Sequence, residues 1–235
     1  MINPTTYILS ILCLCGLLTS CKQIQEATIT VWTRAHATDA DFIEQARHLI
    51  DSVGEQSPDS LEVFVRQIAD ELCRQGQERI AISVAAYPHG LDLPTDDSSE
   101  IGRRLLRQLQ LTGNAAPPLP QTKTDIKEIK GSIVLFFETD CYACDTIINE
   151  LKANYNSLQA AGIRIVSIAS DSDKDIYESH TSSLPWEDKY CDYDSFFGVY
   201  FEKWGVASTP TLYYVDEKGI VKGRYYAVKD MGPFG

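Results

Sequence analysis

The sequence predicts an α/β domain, a mixed central sheet flanked by helices, preceded by a small helical module. Three observations predict it. Apolar residues recur at three- and four-residue steps through the first half of the chain, and a proline-rich break follows near residue 117. Beyond the break, short runs of branched and aromatic residues alternate with a helical stripe.

In the first half, Phe42, Ile43, Ala46, Leu49, Ile50 and Val53 form one helical face with Glu44, Gln45 and Arg47 between them. Ser57-Pro58-Asp59 ends that helix, and Leu61, Val65, Ile68 and Leu72 begin a second. A third is expected from Gln77 to Ala86. Tyr87-Pro88-His89-Gly90 and Pro94-Thr95-Asp96-Asp97 then interrupt the pattern, and Ser98 opens a fourth carried by Ile101, Leu105, Leu106 and Leu109. In Gly113-Asn114-Ala115-Ala116-Pro117-Pro118-Leu119-Pro120, three prolines remove backbone donors and push the preceding residues to extended conformations, so no helix continues there. The helical module is therefore placed at 40–115 and the α/β domain at 116–235.

Ile133-Val134-Leu135-Phe136-Phe137 is the expected central strand, covered on both faces. Ile147, Ile148, Leu151, Tyr155 and Leu158 give a helix from Thr146 to Leu158, ended by Ala161-Gly162. Ile163 to Ala169 is the next strand, and the β-α-β order implies parallel pairing. Thr211 to Val215 and Ile220 to Tyr226 flank Asp216-Glu217-Lys218-Gly219, which reads as an antiparallel hairpin.

The first twenty residues carry no charged side chain, and the apolar run from Tyr7 to Leu18 is too short to span a bilayer comfortably, as in a signal-peptide core. Leu18-Thr19-Ser20-Cys21 resembles the bacterial lipobox. That resemblance implies a signal peptide at 1–20, lipid on Cys21, and a lipidated N-terminus and linker at 21–39. It also places the protein on the extracytoplasmic side of a bacterial membrane, in the periplasm. Lys22, rather than Asp, after the lipidated residue points to the outer membrane. The formal charge of −12 lies entirely outside the uncharged leader and repels phosphate backbones, which argues against a nucleic-acid partner.

Cys141-Tyr142-Ala143-Cys144 falls where the first strand turns into a helix. Unpaired backbone N–H groups and the positive end of the helix dipole stabilise a thiolate there, which makes Cys141 the nucleophile. Two intervening residues put Cys144 one turn on, where it can resolve a mixed disulfide. Two other readings stand beside this one. Half a zinc site lacks support, since no second CxxC occurs and His36, His48, His89 and His180 are scattered. A purely structural disulfide is the stronger rival, because exported domains use them freely.

From about Ala116 to Ala227 the chain resembles the thioredoxin superfamily, specifically the TlpA-like thiol:disulfide oxidoreductases. The CxxC that opens a helix after a strand carries part of the resemblance. Trp204-Gly205-Val206-Ala207-Ser208-Thr209-Pro210-Thr211, similar to the family's loop ending in a cis-proline, carries the rest. The resemblance implies a thioredoxin-like fold and catalytic roles for Cys141, Cys144 and Pro210, with the substrate chain held by Thr209 and by Tyr142 and Ala143. It implies protein thiols or disulfides as substrates, an upstream redox partner, and no organic cofactor or metal. Membrane-tethered relatives favour a reductase.

Three departures qualify the mechanism. Asp140 stands where most members carry Trp, and its charge opposes the helix dipole beside Cys141. The positions of the family's buried carboxylate correspond to Leu135 and Ile147. The chain also ends at Met231-Gly232-Pro233-Phe234-Gly235, where relatives add a last helix. These departures keep a second function open, a noncatalytic lipoprotein that uses the fold as a binding module with the CxxC as a staple. A peroxidase is a third and weaker reading. Cys73 reads as a small buried hydrophobe, with a disulfide to Cys191 as the alternative. Tyr190, Tyr193, Phe196, Phe197, Tyr200, Phe201 and Trp204, just before the Thr209-Pro210 loop, are expected to be mostly core, with some lining a substrate groove.

Overall fold

The computed structural model describes residues 19–91, 100–124, 127–225 and 227–231, with side chains from residue 27 onward. The bulk of the expected leader, the side chain of Cys21, Pro94 to Asp97 and the cap at Ser98 lie outside the described residues. The chain divides into two compact units, Met1–Leu109 and Gln110–Gly235.

The first unit is helical: α1 (Thr19–His36), α2 (Phe42–Gln56), α3 (Pro58–Arg74), α4 (Glu78–Ala86) and α5 (Glu100–Leu111), whose last residues, Gln110 and Leu111, are counted with the second unit. Pro58 occupies the first turn of α3, where its missing N–H costs nothing. The apolar faces meet in one core that contains Phe42, Leu49, Phe64, Ile68, Leu72 and Ile82. The segment 21–39, expected as a linker, is instead helical to His36, and Ile29 and Trp32 are buried in this same core. Thr28, Ile29, Thr30, Val31 and Thr33 are β-branched and weak helix formers. Burial of Ile29 and Trp32, with Trp32 stacked on Phe42 at 5.3 Å, overrides that propensity.

Glu71 on α3 is buried and bonded to Arg34 (2.8 Å), Arg74 (2.9 Å) and Gln75 (3.2 Å). The Arg34 guanidinium foremost, then Arg74 and Gln75, hold its carboxyl at about 2 against the opposing effect of burial. A depressed folded value stabilises the fold above the ordinary carboxylate value of 4.5, and that stability is lost as pH falls toward about 2.

The second unit is built on β1 (Gly131–Phe137), α6 (Tyr142–Ala160), β2 (Ile163–Ala169), α7 (Lys174–Thr181), β3 (Lys189–Cys191), α8 (Val199–Lys203), β4 (Thr211–Asp216) and β5 (Val221–Tyr225). The sheet order is β3-β2-β1-β4-β5, with β1, β2 and β3 parallel and β4 and β5 antiparallel. Alternation along β1 feeds two layers. Ile133, Leu135 and Phe137 join Ile148, Leu151, Tyr177 and Trp186 on one face. Val134 and Phe136 join Phe201, Trp204 and Tyr213 on the other.

Residues just before the proline-rich break belong to this unit. Gly113 N donates to Val221 O (2.8 Å) and Val221 N to Asn114 O (2.9 Å), which moves the boundary upstream of 115/116. Gly162, in the left-handed region at φ +79°, ends α6, and a Cβ there would lie 2.9 Å from the Glu128 carbonyl. After β5, the short turn Val228–Asp230 buries Val228, with Met231 beside it, against the α6 side of the sheet.

Strand β3 and helix α7 have no counterpart in the sequence-based reading. Asp173 caps α7 by accepting from the Asp175 and Ile176 N–H groups (2.9 and 3.0 Å). At the opposite end of the strands, Asp188 before β3 receives Arg164 from β2 (2.8 Å) and the Lys123 N–H (2.6 Å). Burial opposes ionisation of Asp188, but Arg164 and these donors hold it below the usual carboxylate range.

Candidate active site at the strand-to-helix turn

Strand β1 ends at Phe137, and Cys141 takes the extended N-cap conformation of α6 (φ −104°, ψ 108°). Cys141 and Cys144 are disulfide-bonded with Cα atoms 5.2 Å apart, and Cys141 Sγ accepts the Cys144 N–H at 3.2 Å. The two sulfurs differ in surroundings. Cys141 is half-buried, whereas Cys144 is 0 % exposed among Leu135, Ile147, Ile148 and Phe137. Both positions matched to a carboxylate in relatives are thus apolar wall. Between the cysteines, Tyr142 is 88 % exposed and Ala143 is exposed. Asp140 is exposed and Asp145 half-buried.

The Thr209-Pro210 peptide bond is cis. Antiparallel pairing sets Thr211 opposite Phe136, so Pro210 lies at the end of β1 that leads to Cys141. Thr209 and Pro210 are half-buried, and Thr211 Oγ1 donates to Ser208 O (2.7 Å), closing the turn into β4.

Other groups share this sheet edge. Asp171, after β2, accepts from Thr139 N (3.3 Å) and Thr139 Oγ1 (2.7 Å) in the β1-to-α6 loop. Its carbonyl accepts from Cys191 Sγ (3.2 Å) at the end of β3. Hydrogen bonds thereby lace together the ends of the three parallel strands. Cys191 is a free, half-buried thiol. Burial first, then the nearby charges of Asp171 and Asp192, push it up to about 11. Cys73 packs against the helical core in the other unit.

His180, near the end of α7, points Nε2 at Asp145 Oδ1 (3.8 Å), and its ring lies over Phe137 with centroids 6.1 Å apart. Sequence reading scattered the histidines and missed this placement, which only the packing of α7 beside α6 creates.

The aromatic stretch before Pro210 is not one helix. It comprises β3, a 3-10 turn at Ser195–Phe197 and the five-residue α8, broken by positive φ at Tyr193 (+64°) and Ser195 (+54°). Phe201 and Trp204 are core, while Phe197 is 68 % exposed. Among the described residues no group of three or more His, Cys, Asp or Glu side chains is placed to hold a metal ion.

The AhpC/TSA family model matches residues 112–224. No curated protein matches the chain. Similar solved structures include the thioredoxin domain of a thiol-disulfide oxidoreductase from Bacteroides vulgatus (19 % identity, 48 % of this chain and 86 % of that one, TM-score 0.41). They also include a thiol-disulfide oxidoreductase from Bacteroides fragilis (19 %, 47 % and 89 %, TM-score 0.41). A third is a thiol:disulfide interchange protein from a Bacteroides species (20 %, 48 % and 80 %, TM-score 0.41). The second unit, with its mixed five-stranded sheet and helix-capping cysteine pair, thus has a thioredoxin-like α/β fold and is similar to the AhpC/TSA family over residues 112–224.

Proposed function

We propose that the chain is a lipid-anchored, extracytoplasmic thiol:disulfide oxidoreductase that works as a reductase of protein disulfides. The observation that carries this reading is the contrast within one bond: Cys141 half-exposed at the start of α6, Cys144 sealed in the apolar layer. The Cys141 thiolate attacks a substrate sulfur, forms a mixed disulfide and releases the other substrate sulfur as thiolate. Cys144 then attacks Cys141, restoring the internal disulfide and releasing the second substrate thiol. Two electrons leave the pair, and an upstream redox partner returns them. In this reading Thr209 and Pro210, together with Tyr142 and Ala143, hold the substrate as an added extended segment. No organic cofactor or metal enters these steps.

The test is the reduction potential of the pair in the chain beginning at residue 22, combined with trapping by Cys144→Ser. A value near about −270 mV with mixed disulfides on Cys141 supports the reductase. Exposed Asp140 beside Cys141 favours the rival reading, a noncatalytic binding module. A pair that stays oxidised below about −300 mV and traps nothing selects that rival.

Anchoring rests on the motif ending at Cys21. Among the described residues no helix is long and apolar enough to cross a membrane. Labelled fatty acid incorporated by the full chain and lost in Cys21→Ser would establish the lipid; equal labelling of both would refute it.

A further inference from the structure

Strand register in the second unit brings three connecting loops to one line across the sheet. Phe137, Ala169 and Cys191 are paired neighbours in β1, β2 and β3, so the segments that follow them leave from the same end. Among the described residues of this unit, the exposed large apolar side chains are Tyr142, Ile176, Phe197 and Val199, and every one lies in a segment just beyond that line.

The same loops are acidic. Residues 138–141, 170–173 and 192–198 hold Glu138, Asp140, Asp171, Asp173, Asp192 and Asp194 and no Lys or Arg. Lys174, which opens α7, is paired with Glu178 at 3.6 Å. At the opposite end of the strands the signs mix: Lys127, Glu128 and Lys130 lead into β1, and Glu217 and Lys218 join β4 to β5.

Phe197 is held outward by its own loop. Phe196 turns inward and meets Phe201 edge-on, with ring centroids 5.2 Å apart. Asp192 Oδ2 accepts the Val199 N–H (3.1 Å), and a Cβ on Gly198 would collide with that carboxylate. These contacts close the turn and leave Phe197 68 % exposed, where an apolar side chain of a partner can cover it.

We propose that this end of the sheet is a docking face for a cationic segment of the substrate polypeptide, with Phe197 as the anchor for an apolar side chain beside its disulfide. The inference rests on the redox reading above and deepens it by naming the substrate class. Carboxylates on all three loops draw a positive segment toward the end of β1 that leads to Cys141. They repel a second copy of this chain, whose formal charge is −12.

The experiment measures disulfide reduction by the full-length, reduced chain in a nonionic detergent. Three short peptides of equal length, each closed by one disulfide, carry Lys and Leu, Glu and Leu, or Lys and Ser beside their cysteines. As the Cys141 and Cys144 thiols close to their disulfide, each peptide disulfide opens to two thiols. Neutral hydroxyethyl disulfide reports the exchange step without a docking segment. At about 20 mM salt the Lys-Leu peptide should react about tenfold faster than the Glu-Leu peptide, and the ratio should fall about threefold or more at about 0.5 M. Glu138→Gln combined with Asp194→Asn should narrow the low-salt ratio about threefold; taking a ratio cancels any change in the reactivity of Cys141 itself. Phe197→Ser should slow the Lys-Leu peptide about three- to tenfold and bring it level with the Lys-Ser peptide.

Equal rates for the Lys-Leu and Glu-Leu peptides at low salt, with hydroxyethyl disulfide still reduced, overturn the inference alone. So does a Phe197→Ser variant that slows the Lys-Leu and Lys-Ser peptides equally. A chain that reduces neither the peptides nor hydroxyethyl disulfide overturns the redox reading and this inference together.

Discussion

Two cysteine environments occupy the same edge of one sheet and differ in what the sulfur faces. Cys141 caps a helix and its Sγ accepts a backbone N–H. Cys191 ends the edge strand, and its Sγ donates to the Asp171 carbonyl, with the carboxylates of Asp171 and Asp192 nearby. The first arrangement favours sulfur as an anion. The second penalises the anion by burial and by charge. Both are cysteines at the same end of the sheet, so the helix N-terminus around one sulfur, against burial and neighbouring carboxylates around the other, is what sets the proposed exchangeable thiol apart from the free one.

The largest expected effect is on turnover. Cys144→Ser should abolish turnover of a protein disulfide and accumulate mixed disulfides on Cys141, whereas Cys191→Ser should leave turnover unchanged in the same assay. If Cys191→Ser were equally inactive, the assignment of roles to the pair would fail.

Next in size is reactivity. In the reduced chain near neutral pH, iodoacetamide should modify Cys141 about a hundredfold faster than Cys191, because a thiol held at about 11 presents little thiolate. Comparable rates measured by peptide mass would remove the contrast.

A smaller change sharpens it. Asp171→Asn takes one charge away from Cys191 while keeping a side chain that can accept from Thr139, and should speed Cys191 alkylation a few-fold, about two- to fivefold, without altering Cys141. The raised Cys191 value has a matching signature in stability. Its contribution is fully present below the ordinary thiol value of 9.0 and is lost as pH rises toward about 11. Removing the thiol with Cys191→Ala should therefore flatten that part of an alkaline unfolding curve.

The smallest effect is a control. Asp173→Ala removes the cap of α7 and should cost about 1 kcal/mol in denaturant unfolding, with the alkylation rates of both cysteines unchanged. A large change in either rate would show that the start of α7 also shapes the sheet edge.

Elements whose signal is local were legible in the sequence. Ile133 to Phe137 reads as a central strand, and the CxxC stands at a strand-to-helix turn. Gly219, at φ +76°, marks the hairpin turn, where Asp216 Oδ1 accepts the Lys218 and Ile220 N–H groups. Each rests on hydrophobic period or turn chemistry within a few residues. Tertiary structure alone decided the rest. Lys189-Tyr190-Cys191 has no period of its own and becomes a strand by pairing with Ser167 to Ala169. Thr19–His36 is helical because Ile29 and Trp32 find a core, against the weak propensity of its β-branched residues. His180 meets Asp145, and Asp171 joins Thr139 to Cys191, across separate elements. Such contacts leave no local trace, because their energy comes from surfaces brought together only when the chain folds.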